Sequence, residues 1–286
     1  MKRDPHTGIR RQRRDILHGI VAGVFLIYVF LPLGATFLFS ISSDWQNTIL
    51  PRGFTGEWFL YIFTEERFLK ALGRSVLISV LAVSATLAIM IPTVFIVTMY
   101  FQKWERLLQA VVLIPFAIPS VVLAVGVIKL YSSGPFAISG TIWILLGVYF
   151  IVILPYVYQS IRNSLQAINA VELTEAAAIL GAGKRQTFMR VILPNIMPGI
   201  LIASLLSFAI IFSEFVLVNI LVGGTFETIQ IYLLLMMQIN GHVSSATIVI
   251  FYAVVFTLSG IVLHIGGRKP KAAKTTAWIP DIHDIN

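Results

Sequence analysis

The chain has 286 residues, 57% of them hydrophobic and only 12% charged, with no cysteine and a formal net charge of +8. Water-soluble domains carry about 25% charged and 45–50% apolar residues, so this chain has too little polar surface to cover a globule, and the composition points to a membrane protein. Disulfides and thiolate metal sites are excluded, and the five histidines (His6, His18, His242, His264, His283) are scattered without metal-ligand spacing.

A hydrocarbon crossing needs about 20 mainly apolar residues. Six segments qualify: 16–41, 76–100, 107–131, 142–161, 196–222 and 246–265. Apart from Glu214, and Lys129 and Arg106 at or near an edge, they are nearly free of charge. The first follows a basic stretch (Lys2, Arg3, Arg10, Arg11, Arg13, Arg14) that would suit a signal peptide. Its apolar run is much longer than the 7–15 residues of a signal-peptide core and no convincing small-x-small cleavage site stands out, so it reads as a retained span. In the third, Pro115 and Pro119 are expected to kink the helix or open its backbone. Pro155 is expected to interrupt the fourth.

The gaps between spans carry an orientation signal. With the N-terminus inside, sixteen Lys and Arg fall on the cytoplasmic side and five (Arg52, Arg67, Lys70, Arg74, Lys129) on the other. That asymmetry predicts an all-α integral membrane protein of six transmembrane helices with both termini cytoplasmic. It also explains the net charge better than a nucleic-acid footprint does, since the cations lie at chain ends and in short gaps. The outer loop from about Ser42 to Arg74 carries Trp45, Phe54, Trp58, Phe59 and Tyr61, and reads as an interfacial helix with an aromatic belt. Residues 1–15 form a basic cytoplasmic segment, 16–69 the first span and outer loop, and 267–286 a basic then polar cytoplasmic tail suited to lipid headgroups.

The gap from Arg162 to Asn195 is far longer than an ordinary helix connection. Asn169-Ala-Val-Glu172 matches a capping box, with Asn169 as cap and Glu172 reaching back. Glu175-Ala-Ala-Ala178 consists of strong helix formers, and Leu173, Ala176, Ala177 and Leu180 share a face at helical spacing. Gly181-Ala-Gly183 interrupts the run, since glycine accepts the left-handed conformation that ends a helix. A second short amphipathic helix follows, with Phe188, Val191 and Ile192 opposite Lys184, Arg185 and Arg190. Pro194 and Pro198 then mark the start of span five. The expectation is a helix, a glycine turn and a second helix at the cytoplasmic face.

The stretch Gly181-Ala-Gly-Lys184 superficially suggests a nucleotide loop. A Walker A sequence requires glycine where Ala178 stands and Ser or Thr where Arg185 stands, and it follows a strand. A dinucleotide fingerprint fails too, because no βαβ unit surrounds it. No ATP site is expected in this chain.

Glu175-Ala176-Ala177, three residues, Gly181, nine residues, then Val191-Ile-Leu193-Pro194 resembles the EAA loop of bacterial ABC importer permeases (E-A-A, x3, G, x9, I-x-L-P), with Val191 for Ile as the one departure. Residues 70–266 are similar to the type I importer membrane domain. The resemblance implies a bacterial inner-membrane permease subunit with no catalytic residues and no cofactor of its own. It implies that Glu175, Ala176, Ala177, Gly181, Val191, Leu193 and Pro194 couple to a separate ATPase subunit, which holds the ATP and magnesium. The further partners implied are a second permease, identical or homologous, an extracytoplasmic substrate-binding protein and the lipid bilayer, with no nucleic acid.

Glu214 lies inside span five after Ser213. An intramembrane acid is costly and should face the bundle interior or a water-filled path. Ser213, Glu214, Pro115 and Pro119 are therefore candidate path residues, and an acid satisfied by a neighbouring helix or protonated by burial is the competing reading. Tyr156 and Tyr158 read as packing aromatics in preference to a cation cage. The stretch from Ser207 to Leu233 resembles spermidine/putrescine permeases, a class that includes 2-aminoethylphosphonate and ferric-ion relatives. It implies a small amine as cargo, most simply a polyamine. A secondary transporter using Glu214 as an ion or proton relay is the alternative from another class, but it calls for more intramembrane ionisable groups and internal repeats.

Overall fold

A computed structural model describes residues 5–45, 48–134 and 137–266, with side chains from residue 17 to residue 264 within those ranges. The tail 267–286, and with it His283, lies outside the described residues, as do the first four residues and the side chains of the N-terminal basic segment, His6 among them. Twelve α-helices follow one another among the described residues: α1 (Pro5–Ser40), α2 (Glu57–Thr64), α3 (Glu66–Tyr100), α4 (Gln102–Leu113), α5 (Ser120–Tyr131), α6 (Ile142–Ala167), α7 (Ala170–Ile179), α8 (Lys184–Thr187), α9 (Leu193–Phe212), α10 (Val216–Leu221), α11 (Ile229–Ile239) and α12 (Gly241–Gly266). The only extended pairing among the described residues is an isolated antiparallel bridge between Ser42 and Phe54.

Five stretches are long and apolar enough to cross a bilayer: Leu17–Ser40, Glu66–Tyr100, Ile142–Ala167, Lys184–Phe212 and Gly241–His264. The segment expected as the third span is broken. Gln102–Ala117 and Ser120–Tyr131 meet at a bend of 104°, and counting that pair as one span gives six. The break has the cause read from the sequence. Pro115 sits in a 3-10 turn, Ile114–Ala117, and Ile118 before Pro119 is extended, because proline drives its predecessor out of the helical region.

Two expectations need correcting. Pro155 does not interrupt the fourth span; α6 runs through it from Ile142 to Ala167. A proline inside a long apolar helix forfeits one hydrogen bond, which neighbouring packing can absorb in a membrane. The fifth span does not reach residue 222, since α9 ends at Phe212 and α10 begins only at Val216.

The chain divides into two compact units. In the first (Met1–Ser79, Ser120–Leu145, Phe212–Val255), α3 is tied to the segment before α11. Ile229 N–H donates to Ser75 Oγ at 2.8 Å, Arg67 Nε lies 3.0 Å from both carboxylate oxygens of Glu227, and Tyr232 donates its hydroxyl proton to Glu65. The end of α1 is fastened to the start of α12 by His242, whose ring stacks between Phe39 (4.2 Å) and Trp58 (5.1 Å). His242 Nδ1 is 2.9 Å from the Phe39 carbonyl, an acceptor only, so Nδ1 carries the proton. Trp58, expected in an interfacial belt, is therefore used in packing, and its indole N–H donates to the Ser42 carbonyl at 2.9 Å.

The second unit (Val80–Pro119, Leu146–Ile211, Phe256–Asn286) has a core of Val94, Phe95, Val112, Val157, Tyr158, Ile161, Leu165, Ile192 and Ile196. Tyr156 and Tyr158 of α6 pack as expected: Tyr158 is buried and Tyr156 meets Phe116 edge-on at 5.1 Å. Helices α6 and α9 touch through small residues. Ser160 Oγ donates to the Gly199 carbonyl at 2.8 Å, and a Cβ on Gly199 would lie 1.7 Å from Ser164 Oγ and 2.8 Å from Ser164 Cβ. Without a hydrophobic drive between helices in lipid, such close backbone approach supplies the association.

Gly199→Ala is therefore expected to lower stability by about 1–3 kcal/mol, the usual cost of overpacking. Adding Ser164→Gly should restore most of the loss, because it removes both clashing atoms. Thermal unfolding in detergent reads this, and a Gly199→Ala protein as stable as wild type would show that the seam is loose.

Candidate functional site

The first candidate is the connection from α6 to α9. Helix α7 (Ala170–Ile179) begins at Asn169, but not through the expected capping box: Asn169 adopts φ 49°, ψ 54° and makes no side-chain cap bond. The left-handed residue, which asparagine tolerates better than most, turns the chain sharply out of α6. Leu173 and Ala177 face inward while Glu175 and Ala176 are exposed. Leu180, expected to share a face with Leu173 and Ala177, is 87% exposed, and Ile179 beside it is 86% exposed. The helix stops one residue early, so its last apolar pair points away from this chain.

Gly181 has φ +80°, the left-handed ending read from the sequence. Its N–H donates to the Ala178 carbonyl at 2.9 Å, and that of Ala182 to Ala177 at 2.9 Å, satisfying carbonyls that the end of a helix leaves open. Helix α8 (Lys184–Thr187) continues through a π turn, Phe188–Ile192, directly into α9. The second short helix is thus the beginning of the long one. The wide turn has a reason in Pro194, whose missing N–H and bulky ring disfavour the ordinary ladder just before it. Asn195 Nδ2 donates to the Val191 carbonyl at 2.8 Å, supplying a partner in the distorted turn. Val191 and Leu193 are half-buried and Pro194 is exposed. Phe188 anchors the turn, its ring 4.7 Å from Phe95, and Lys184 Nζ lies 4.6 Å over the Tyr100 ring.

The second candidate is the break after α9. Ser213 is exposed and Glu214 half-buried. Glu214 Oε2 accepts the N–H groups of Leu217 at 2.8 Å and Val218 at 3.3 Å, so its carboxylate caps α10, which packs on α5. Of the two competing readings of this acid, neither anticipated backbone amides as its partner. A glutamate two residues before an apolar helical run was the available signal, since acids favour the first turn of a helix. Pro115 is half-buried and Pro119 exposed, and both shape the bend between α4 and α5. Sequence reasoning also missed Asn240, whose Oδ1 accepts the N–H groups of His242 and Val243 at the start of α12. It missed Arg162 as well, which pairs with Glu105 at 2.8 Å and joins α6 to α4.

Long apolar helices, a proline-broken span and a folded helix–glycine–helix connection define a multi-pass membrane protein in which one connection is a built element. The chain belongs to the family described as "Binding-protein-dependent transport system inner membrane component", whose model matches residues 84–269; these are the membrane permease subunits of ABC importers. Among relatives, a putative 2-aminoethylphosphonate transport system permease protein, PhnV, from Salmonella typhimurium is 32% identical over 68% of this chain and 73% of that protein. The spermidine/putrescine transport system permease protein PotC from Haemophilus influenzae is 27% identical over 73% of this chain and 81% of that protein. The fold is shared with a chain of a bacterial ABC transporter involved in the import of the acidic polysaccharide alginate. That match has a TM-score of 0.71 and 18% identity, and covers 93% of this chain and 100% of the other.

If the Glu214 carboxylate holds α10, Glu214→Ala should cost about 0.5–2 kcal/mol, as loss of a helix cap does. Glu214→Gln keeps a side-chain oxygen and should stay close to wild type. Equal unfolding midpoints for all three proteins would exclude the capping role.

Proposed function

We propose that this chain forms, with a second permease copy or homologue, the path of an ATP-driven importer for a small solute bearing an ammonium group. The reading is carried by the family membership together with the segment from Glu175 to Pro194. With both chain ends cytoplasmic, α7 and the glycine turn face the cytoplasm. Ile179 and Leu180 then offer an apolar surface to an ATPase subunit, and the exposed Glu175 offers a charge. Closure of two ATPase subunits around ATP and magnesium would press on α7. The displacement would pass through the short glycine turn into α8, which continues through the π turn into the membrane-spanning α9. An extracytoplasmic binding protein would deliver solute at the opposite face, so nucleotide and loaded binding protein bias one permease equilibrium from two sides.

For the solute, a polyamine follows from the resemblance around Glu214, while the aminoethylphosphonate relative supports a zwitterion with higher identity. The two share an ammonium group, and a carboxylate near the path would attract it. Secondary transport through Glu214 has no support once the family is known.

The test is uptake in proteoliposomes containing the permease with its co-purifying ATPase and binding protein, using labelled putrescine, spermidine and 2-aminoethylphosphonate. ATP-dependent uptake of one of these is expected. Glu175→Lys and Gly181→Val should each lower it at least tenfold with membrane insertion intact, the latter because a β-branched residue is strained at φ +80°. Full uptake in both variants, or uptake that needs no ATP, would overturn the proposal.

A further inference from the structure

Beside α8 and the π turn lies an open depression of about 610 Å³ lined by Gly183, Lys184, Arg185, Gln186, Met189 and Arg190. It gathers three cations. The acids of the adjacent α7, Glu172 and Glu175, do not line it. Among the described residues no salt bridge engages Lys184, Arg185 or Arg190. The stretch Lys184–Phe212 is 29 residues long, and about 20 helical residues fill the hydrocarbon thickness. Counting back from Phe212, that thickness is used up by α9 itself, Leu193–Phe212 (20 residues). Residues 184–192 therefore stand at the depth of the lipid headgroups.

The surroundings suit that depth. Lys184 is held over the Tyr100 ring, and Tyr100, Phe101 and Trp104 are exposed at the turn from α3 to α4, the residue types that collect at a membrane–water boundary. Met189, 51% exposed, places an apolar side chain at the rim. We infer that this depression binds the phosphate of an anionic phospholipid headgroup. Arg185 and Arg190 supply planar N–H pairs for the phosphate oxygens, and Lys184, positioned by Tyr100, supplies a point charge. Basic pockets at the ends of membrane helices take such headgroups. An acidic protein surface is the competing occupant. The exposed apolar pair Ile179–Leu180, on the far side of the glycine turn, is the better suited of the two surfaces to protein burial.

The test uses the full chain, exchanged from detergent into bilayer discs of equal phosphatidylcholine and phosphatidylglycerol. The lipid retained after re-extraction is counted by native mass spectrometry. Wild type should retain phosphatidylglycerol at least threefold over phosphatidylcholine. A Lys184→Gln, Arg185→Gln, Arg190→Gln protein should fall to parity, while Lys70→Gln, at the opposite end of α3, should keep the enrichment. Should the triple variant not fold, washing wild type at 0.5 M salt and testing Arg185→Gln alone serve the same purpose, both reducing the enrichment. No enrichment in wild type, or undiminished enrichment in the variants, would overturn the site. Unchanged lipid retention with loss of the co-purifying ATPase would overturn it too and assign the depression to a protein partner. Retention is read on the permease alone, so failure here leaves the transport proposal standing.

Discussion

Every helix that breaks or begins leaves backbone amides or carbonyls open, and in a chain of apolar helices with little water at hand each break needs a replacement partner. This requirement organises most of the polar chemistry in the molecule. Where α10 begins, Glu214 accepts two amides. At the start of α11, Ser75 of α3 accepts the N–H of Ile229. Asn240 does the same for α12, and Asn195 donates to the Val191 carbonyl inside the π turn. These polar side chains are spent on backbone first. A role in solute handling has to be argued beyond that use.

The same constraint explains how motion can travel. Helices that need no loop transmit displacement, and the run from Lys184 to Phe212 changes only its hydrogen-bond pitch at Phe188–Ile192. Left-handed residues punctuate the other side: Asn169 and Gly181 both have positive φ and bracket α7. The Ser160–Gly199 and Ser164–Gly199 approach then locks α9 to α6. A push on α7 thus meets a packed pair of helices and not a lone one.

How much of this was legible in the sequence depended on whether the cause was local. Length and apolarity located the long helices. Pro115 and Pro119 located the bend, and Gly181 the end of α7, because each acts through its own φ or its neighbour's. Pro155 looked identical locally yet leaves α6 unbroken, since packing around a buried helix decides whether the lost bond matters. The capping box at Asn169 failed for a similar reason: the spacing was right, but the turn out of α6 requires a left-handed residue and so points the side chain elsewhere. The stack of His242 between Phe39 and Trp58 joins positions far apart in the chain and left no periodic trace. Leu180 was grouped with Leu173, Ala176 and Ala177 by spacing that assumed one more helical residue than the glycine turn allows.

Glu214 sits just past the end of α9, at the break before α10. Both amide bonds end on Oε2, so the carboxylate serves the start of α10 whatever else it does. Capping also fixes the side chain in place. The break in the helix and the acid that repairs it are then one local arrangement, and the polar side chain at the break is explained by the backbone it serves.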